Sequence, residues 1–219
     1  EKAQEHIREE KLGGKIATRL GNGLAPLEPG ETDTVIIAGM GGDLICKILK
    51  AKPEFLIEGK EFILQPQSEW FKIRRLLKEY RYQIEKEWFL KEDGKYYVII
   101  KAEPAWTQPQ RLKHQQPSIH EYIKEISETP ANQAVSEKDM ESIYEQYGKY
   151  LIETKNPVLK EYLEKEITKK ESIATELKQS IKEIESEELS GKERGNIAKR
   201  QRRYQEIQKE IRDMRKAIG

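Results

Sequence analysis

The chain has 219 residues, with 40 Lys and Arg against 39 Asp and Glu, so its formal net charge of +1 predicts no polyanionic partner from composition alone. Its single cysteine, Cys46, excludes a disulfide framework and a cysteine-based zinc site, and we expect no metal. No apolar run reaches the ~20 residues of a membrane span and no leader precedes the first predicted helix. We therefore expect a cytoplasmic protein without membrane contact.

The first part of the chain alternates between helical and extended patterns. A predicted helix over 1–12 is followed by a strand over 15–20 and by the apolar run 35–38, which predicts a parallel strand buried on both faces. Helical spacing after Gly42 and a strand over 61–66 continue the alternation. This order predicts an α/β fold with a parallel sheet.

The pattern changes after a helix over 68–80. Two β-rich segments, "YQIEKEWFL" and "YYVIIKA", flank "KEDGK", whose Asp93-Gly94 pair is a turn signal. We expect an antiparallel hairpin that closes the parallel sheet.

A composition shift at Pro104 marks a domain boundary. Residues 104–117 contain three prolines and four glutamines without apolar periodicity, which is typical of a linker. We therefore predict a first domain over 1–103 and a helical domain over 118–219.

The helical domain carries two narrow apolar stripes, separated by "LSGKERGN". Their steps of four and three residues predict two long antiparallel helices forming a coiled-coil hairpin, with a pair of helices packed on the first domain as the alternative. The predicted seam residues are Leu163, Ile167, Ala174, Leu177, Ile181, Ile184, Ile197, Tyr204, Ile207, Ile211, Met214 and Ile218.

Two glycine-rich turns follow the strands of the first domain. "AGMGGDL" matches neither GxxxxGK nor GxGxxG, so by itself it indicates either a ligand loop or only a tight strand-to-helix corner. "RLGNGLAPL" places Asn22 between glycines after the predicted strand 15–20. Because the carboxyl ends of parallel strands form the ligand crevice of open α/β sheets, the two turns together favour a binding site.

The ordered segments "GNGLAPL", "VIIAGMGGDLI", "FILQPQSEWFKIRRLL" and "EDGKYYVIIKAE" resemble the bacterial tRNA (adenine-22-N1)-methyltransferase family. That family consists of class I S-adenosylmethionine-dependent enzymes with a C-terminal coiled coil. The resemblance implies a Rossmann-like α/β sheet followed by an antiparallel coiled-coil hairpin. It begins after the family's second strand, so we expect the chain to lack the first strands of the family's sheet.

The resemblance also implies functional residues. Asn22, Gly23 and Leu24 correspond to the turn that meets the adenine ring of the cofactor, and Ala38, Gly39, Met40 and Gly41 to a turn that binds the cofactor and also faces the target base. Asn22-Gly23 as a simple turn is the alternative for the first set.

Gln65 and Met40 are the predicted catalytic residues. Gln65 is expected to read the adenine edge, with a strand-end cap as the alternative. Asp43 is expected only to stabilise the following helix. Tyr96 and Tyr97, as aromatic residues in a strand, are expected to belong to the core, with stacking on RNA as the alternative.

The last helix is the predicted RNA contact. Residues 190–216 contain ten Lys and Arg, all within 192–216, against four acids, although a solvated coiled-coil flank explains the charge equally well. The resulting hypothesis is methyl transfer from S-adenosylmethionine to adenine N1 in tRNA. A methyltransferase for another RNA site or a small molecule, and a non-catalytic RNA-binding coiled-coil protein, remain alternatives.

Overall fold

The computed structural model describes residues 2–105, 131–185 and 191–219. Within these ranges the elements in chain order are α1 (Lys2–Glu9), β1 (Thr34–Met40), α2 (Gly42–Ala51), α3 (Glu54–Ile57), β2 (Glu61–Pro66), α4 (Trp70–Glu79), β3 (Tyr82–Glu92), β4 (Lys95–Pro104), α5 (Ala131–Tyr147), α6 (Lys149–Glu153), α7 (Pro157–Glu185) and α8 (Gly191–Ile218).

The four strands form one mixed sheet in the order β1-β2-β4-β3. β1 and β2 are parallel, as their connection through α2 and α3 requires, and β4 pairs antiparallel with both β2 and β3. Asp93 and Gly94 both have positive φ, 47° and 76°, which suits a tight hairpin turn. The predicted parallel layer closed by an antiparallel hairpin is confirmed.

Only one face of β1 is covered by the described residues, contrary to the prediction. Val35 and Ile37 point into the core at 5% and 7% exposure, whereas Ile36 between them is 67% exposed. The covered face packs beneath α2 and α4, whose buried residues include Ile45, Leu49 and Ile73. Buried and exposed apolar residues therefore alternate along β1, although its continuous apolar sequence predicts burial on both faces.

The strand predicted over 15–20 is wrong. Residues 16–20 form no regular element, and Leu20 is fully exposed. A strand requires a neighbour for its backbone hydrogen bonds, and within the described chain β1 pairs only with β2, so nothing is available to extend the sheet on that side.

The long helices α7 and α8 run antiparallel. Lys170 Nζ lies 2.5 Å from Glu210, and Arg200 Nη1 lies 3.0 Å from the Ser180 hydroxyl. Residue numbers therefore increase along α7 as they decrease along the facing side of α8. The predicted seam residues that are buried are Leu163, Ile167, Ala174, Ile181, Ile197, Ile207, Ile211 and Met214. The predicted break between the helices spans 189–196. Its first two residues lie outside the described residues, whereas 191–196 are helical and belong to α8, so this helix begins earlier than predicted. Most of the predicted linker, from residue 106 onward, also lies outside the described residues.

The base of α7 also packs on the sheet, as the alternative interpretation expected. Glu161 accepts hydrogen bonds from Lys91 at 2.6 Å, from Lys165 at 2.8 Å and from the Tyr96 hydroxyl at 3.2 Å. These partners, Lys165 first, lower the pKa of Glu161 to about 2. None of the described helices has the length and apolar character that crossing a membrane requires.

A buried ion pair joins α4 and β3 to the C-terminal end of α5. Arg74 Nε lies 2.8 Å from Glu87 Oε1, and the two residues are only 5% and 2% exposed. Arg74 Nη1 also donates to the carbonyl oxygens of Glu145 and Gln146, at 3.1 and 2.9 Å. One guanidinium thus ties the sheet layer to the helical domain, and it satisfies carbonyls at the helix end that have no partner within α5.

Candidate active site

The turn between β1 and α2 leaves open space beside its backbone. Gly39 has φ +77°, and a Cβ atom added there would meet no described atom within 4 Å. The register between β1 and β2 shifts from Ala38–Gln65 to Met40–Pro66, which is a β-bulge at this glycine. The turn therefore offers exposed backbone, as close approach of a ligand requires.

The next turn, between β2 and α4, is held to the first by backbone hydrogen bonds. Gln67 N donates to Met40 O and Gly42 N donates to Ser68 O, both at 2.9 Å. A Cβ on Gly42 would lie 2.6 Å from Glu69 O and 2.7 Å from Ser68 O, so only glycine allows this contact. The two turns, Gly39–Gly42 and Gln65–Glu69, therefore form one rigid edge of the sheet.

Gln65 connects the two strands at this edge. Its Oε1 accepts a hydrogen bond of 2.8 Å from Gly39 N, 26 residues earlier in the chain. Its Nε2 is buried and has no hydrogen-bond partner among the described residues. Because the Gly39 N–H fixes the oxygen, the free side of the amide can only donate.

Charged residues stabilise the start of α2. Asp43 pairs with Lys47 at 2.8 Å and with Lys72 at 2.9 Å, and these hydrogen bonds, Lys47 first, lower its pKa to about 2. Glu69, at φ +54°, accepts a bond from Asp43 N at 3.2 Å. Asp43 is thus engaged in ion pairs, which agrees with the expected structural role.

The turn containing Asn22 lies along the side of α2. Gly23 has φ +57°, and a Cβ there would approach Ile48 Cγ2 to 2.8 Å. Leu24 is 7% exposed and belongs to the core, while Lys52 donates to the carbonyls of Ala25 and Leu27. Both predicted turns therefore contact α2, one before its first residue and the other along its length.

Tyr96 is part of an aromatic cluster and not a free stacking platform. Its ring centroid lies 5.0 Å from that of Tyr162 and 5.9 Å from that of Phe89. Tyr97 faces the opposite side of β4, next to Leu90.

Sequence reasoning missed the Arg74–Glu87 pair and the residues around it. Arg74 directly follows Ile73 and precedes Leu76 and Leu77 on the apolar side of α4, so a charged residue on a core-facing helix surface was the available signal.

A profile of the tRNA (adenine(22)-N(1))-methyltransferase family, TrmK, matches residues 1–142 of the chain. The chain belongs to this family. Over 101 residues it is 40% identical to tRNA (adenine(22)-N(1))-methyltransferase of Bacillus subtilis, an alignment that covers 46% of this chain and 42% of the relative. The chain thus matches about two fifths of the length of that curated relative.

Solved structures share the fold over nearly the whole chain. An uncharacterised protein of Listeria monocytogenes superposes with a TM-score of 0.73 at 23% identity, covering 99% of this chain and 76% of that one. Streptococcus pneumoniae Sp1610, a putative tRNA (m1A22) methyltransferase in complex with S-adenosyl-L-methionine, superposes with a TM-score of 0.61 at 23% identity. The superposition covers 99% of this chain and 75% of that one. These likenesses establish a Rossmann-like α/β fold, as predicted.

Proposed function

We propose that the protein transfers a methyl group from S-adenosylmethionine to N1 of an adenine in tRNA, position 22 by family membership, in the cytoplasm. The observation that carries the proposal is the joined edge of Gly39–Gly42 and Gln65–Glu69 in a chain of this family. The open backbone at Gly39 and the unpaired Gln65 amide fit a polar ligand.

The residues proposed to hold the cofactor lie on the two turns that contact α2. Asn22, Gly23 and Leu24 would meet its adenosine part; the side chain of Leu24 is in the core, so that residue would contribute backbone. Ala38, Gly39, Met40 and Gly41 would face its reacting end. When bound, S-adenosylmethionine supplies an electrophilic methyl group.

Adenine N1 carries an in-plane lone pair, so the attacking atom needs no base. Orientation then accounts for much of the rate, and well-aligned reactants gain roughly 7–11 kcal/mol. The rigid edge supplies this alignment. We propose that Gln65 donates its N–H, which is buried and unpaired among the described residues, to the purine, and that the Met40 side chain, 37% exposed, contacts the ring.

Replacing Gln65 by glutamate separates its two contacts. The carboxylate still accepts the Gly39 N–H but no longer donates, so we expect kcat/KM to fall about 10–100-fold while cofactor affinity changes little. Gln65→Ala removes both contacts and should also weaken cofactor binding. Steady-state kinetics and calorimetry with S-adenosylhomocysteine measure the two effects, and an unchanged kcat/KM in Gln65→Glu would exclude the donor role.

The proposed tRNA contact is one exposed face of α8. Lys199, Arg202, Lys209 and Arg212 recur at intervals of three and seven residues, which places them on one side of the helix. None of the four has an ion-pair partner among the described residues, whereas Arg203 pairs with Glu206 and Arg215 with Glu171. Four free cations on one helix face suit phosphate groups.

Changing these four residues to glutamine is expected to raise KM for tRNA about 10–100-fold and to reduce the slope of log K against log salt concentration by about three, because about four phosphate contacts are lost. The matched control is Arg203→Gln with Arg215→Gln, which removes only paired charges. An equal effect of both variants would show that charge alone, and not this face, binds tRNA.

Methyl transfer is tested with the purified gene product, labelled S-adenosylmethionine and unmodified tRNA. We expect label in tRNA and heat of binding with S-adenosylhomocysteine. Label in small molecules but not tRNA would favour a different methyltransferase, and absence of cofactor binding would favour a non-catalytic RNA-binding protein.

A further inference from the structure

A cleft of about 650 Å³ opens between the β2–α4 turn and helices α5, α7 and α8. Residues 67–71 line one wall, and Gln67 is the residue whose backbone N–H binds Met40 O in the candidate active site. The cleft therefore adjoins the rigid edge at which methyl transfer is proposed.

Aromatic side chains with unused hydrogen-bonding groups line this cleft. Trp70, Phe71, Tyr147 and Tyr162 contribute rings. Trp70 and Tyr162 also pack on each other, with centroids 5.6 Å apart, and on Phe89, so they belong both to the aromatic cluster of Tyr96 and to the wall of the cleft. The Trp70 Nε1 atom is buried, and it has no hydrogen-bond partner in the described parts of the chain. Tyr147 is 7% exposed, and no described residue hydrogen-bonds to its hydroxyl. Rings combined with unpaired donors favour a flat ligand with polar edges.

The cleft is electrostatically negative. Four carboxylates line it, those of Glu69, Glu166, Glu210 and Asp213, together with a single lysine, Lys170, which is bound to Glu210 at 2.5 Å. Outside the lining, Lys72 pairs with Glu69 at 2.5 Å and Lys169 with Glu166 at 3.9 Å. Burial raises the pKa of the Tyr147 hydroxyl, and the nearby groups of Asp213, Tyr162, Glu210 and Glu166 add to that rise in this order. No described cation pairs with Asp213. Phosphate is therefore repelled here, and a cationic ring is favoured.

The proposed reaction produces such a ring. The N1 lone pair forms the new N–CH₃ bond, the S–CH₃ electron pair returns to sulfur, and the positive charge of the sulfonium moves to the purine. It stays there until the exocyclic amine loses a proton. Carboxylates beside the purine stabilise this charge as it develops.

We propose that this cleft binds the purine as it acquires the N1-methyl group and its positive charge, so that it recognises 1-methyladenine over adenine. This inference rests on the proposed function. Gln65 and Met40 lie on the adjoining edge and do not line the cleft, so the contacts proposed for them above are kept. The inference adds ring contacts from Trp70 and Tyr147 and charge recognition by Glu166 and Asp213. A polyamine matches the carboxylates but not the rings.

The test is equilibrium binding of 1-methyladenosine, adenosine and spermidine to the gene product at pH 7, by calorimetry and competition. We expect 1-methyladenosine to bind about tenfold more tightly than adenosine, and spermidine to compete weakly. The preference should fall below about threefold in Glu166→Gln with Asp213→Asn. It should persist in Glu164→Gln, which removes an exposed α7 carboxylate outside the cleft.

Equal affinities for the two nucleosides, no binding at millimolar concentration, or equally strong competition by spermidine would overturn the inference. Should the double variant not fold, the ratio in the unmodified protein still decides. Methylation of tRNA is scored separately by transfer of label: methylation without the preference refutes only this inference, and absence of methylation refutes the proposed function.

Discussion

Replacing Arg74 by methionine is expected to lower the free energy of unfolding by about 3–5 kcal/mol, because it leaves the Glu87 carboxylate buried without its partner. The carbonyls of Glu145 and Gln146 also lose their donor. Urea denaturation at pH 7 measures the effect.

The matched control for that change is the neighbouring Arg75→Met. Arg75 pairs with Glu145 on the surface, and its side chain is 64% exposed. Replacing it should lower the free energy of unfolding by only about 0–1 kcal/mol. Adding Glu87→Leu to Arg74→Met should restore much of the stability, since it removes the stranded charge. Equal losses in the Arg74 and Arg75 variants would contradict a dominant role for the buried pair.

The same variant should show a characteristic pH dependence. Burial raises the pKa of Glu87, and Arg74 opposes that rise, so removing Arg74 raises the pKa further. An acid whose pKa is raised on folding favours the folded state when protonated and loses that contribution as pH rises through the folded pKa. The deficit of Arg74→Met should therefore shrink as the pH is lowered from 8 to 5, whereas a constant deficit would mean that the carboxylate is hydrated.

Gly148→Ala is expected to have the second largest effect on stability. Gly148 has φ +92°, where a side chain costs about 1–3 kcal/mol. Its Cβ would overlap Glu87 Oε2 and lie 2.9 Å from Arg74 Nη2, so it must displace the buried pair at a further cost of about 1–3 kcal/mol. Thermal and urea unfolding measure the sum.

Gly30→Ala is the control for backbone strain alone. Gly30 has φ +86°, but a Cβ there meets no described atom within 4 Å. We expect Gly148→Ala to cost clearly more than Gly30→Ala. Equal costs would place the whole effect in the backbone and leave the ion pair undisturbed.

Short sequence patterns predicted the strands, turns and helices whose conformation depends on residues close together in the chain. The strand 61–66 and the Asp93-Gly94 turn are confirmed because alternation and positive φ are encoded within a few residues. The seam of α7 and α8 follows from spacing in the same way.

Features that depend on distant partners were not predictable to the same degree. Residues 15–20 have a strand-like sequence but pair with no strand of the described residues, and Ile36 is apolar but exposed. Gln65 was predicted as a site residue, yet its hydrogen bond to Gly39 joins positions 26 residues apart. The cleft combines residues from the β2–α4 turn and from four helices, α4, α5, α7 and α8, and no local sequence pattern predicts that these residues lie together.

The most direct test of the proposed methyl transfer is the identity of the methylated nucleoside. The purified gene product is incubated with unmodified tRNA and S-adenosylmethionine carrying a deuterated methyl group, and the digested RNA is analysed by mass spectrometry with mapping of the modified position. We expect the deuterated methyl group in 1-methyladenosine at a single tRNA adenosine. Label in a different nucleoside, or none in tRNA, would contradict it.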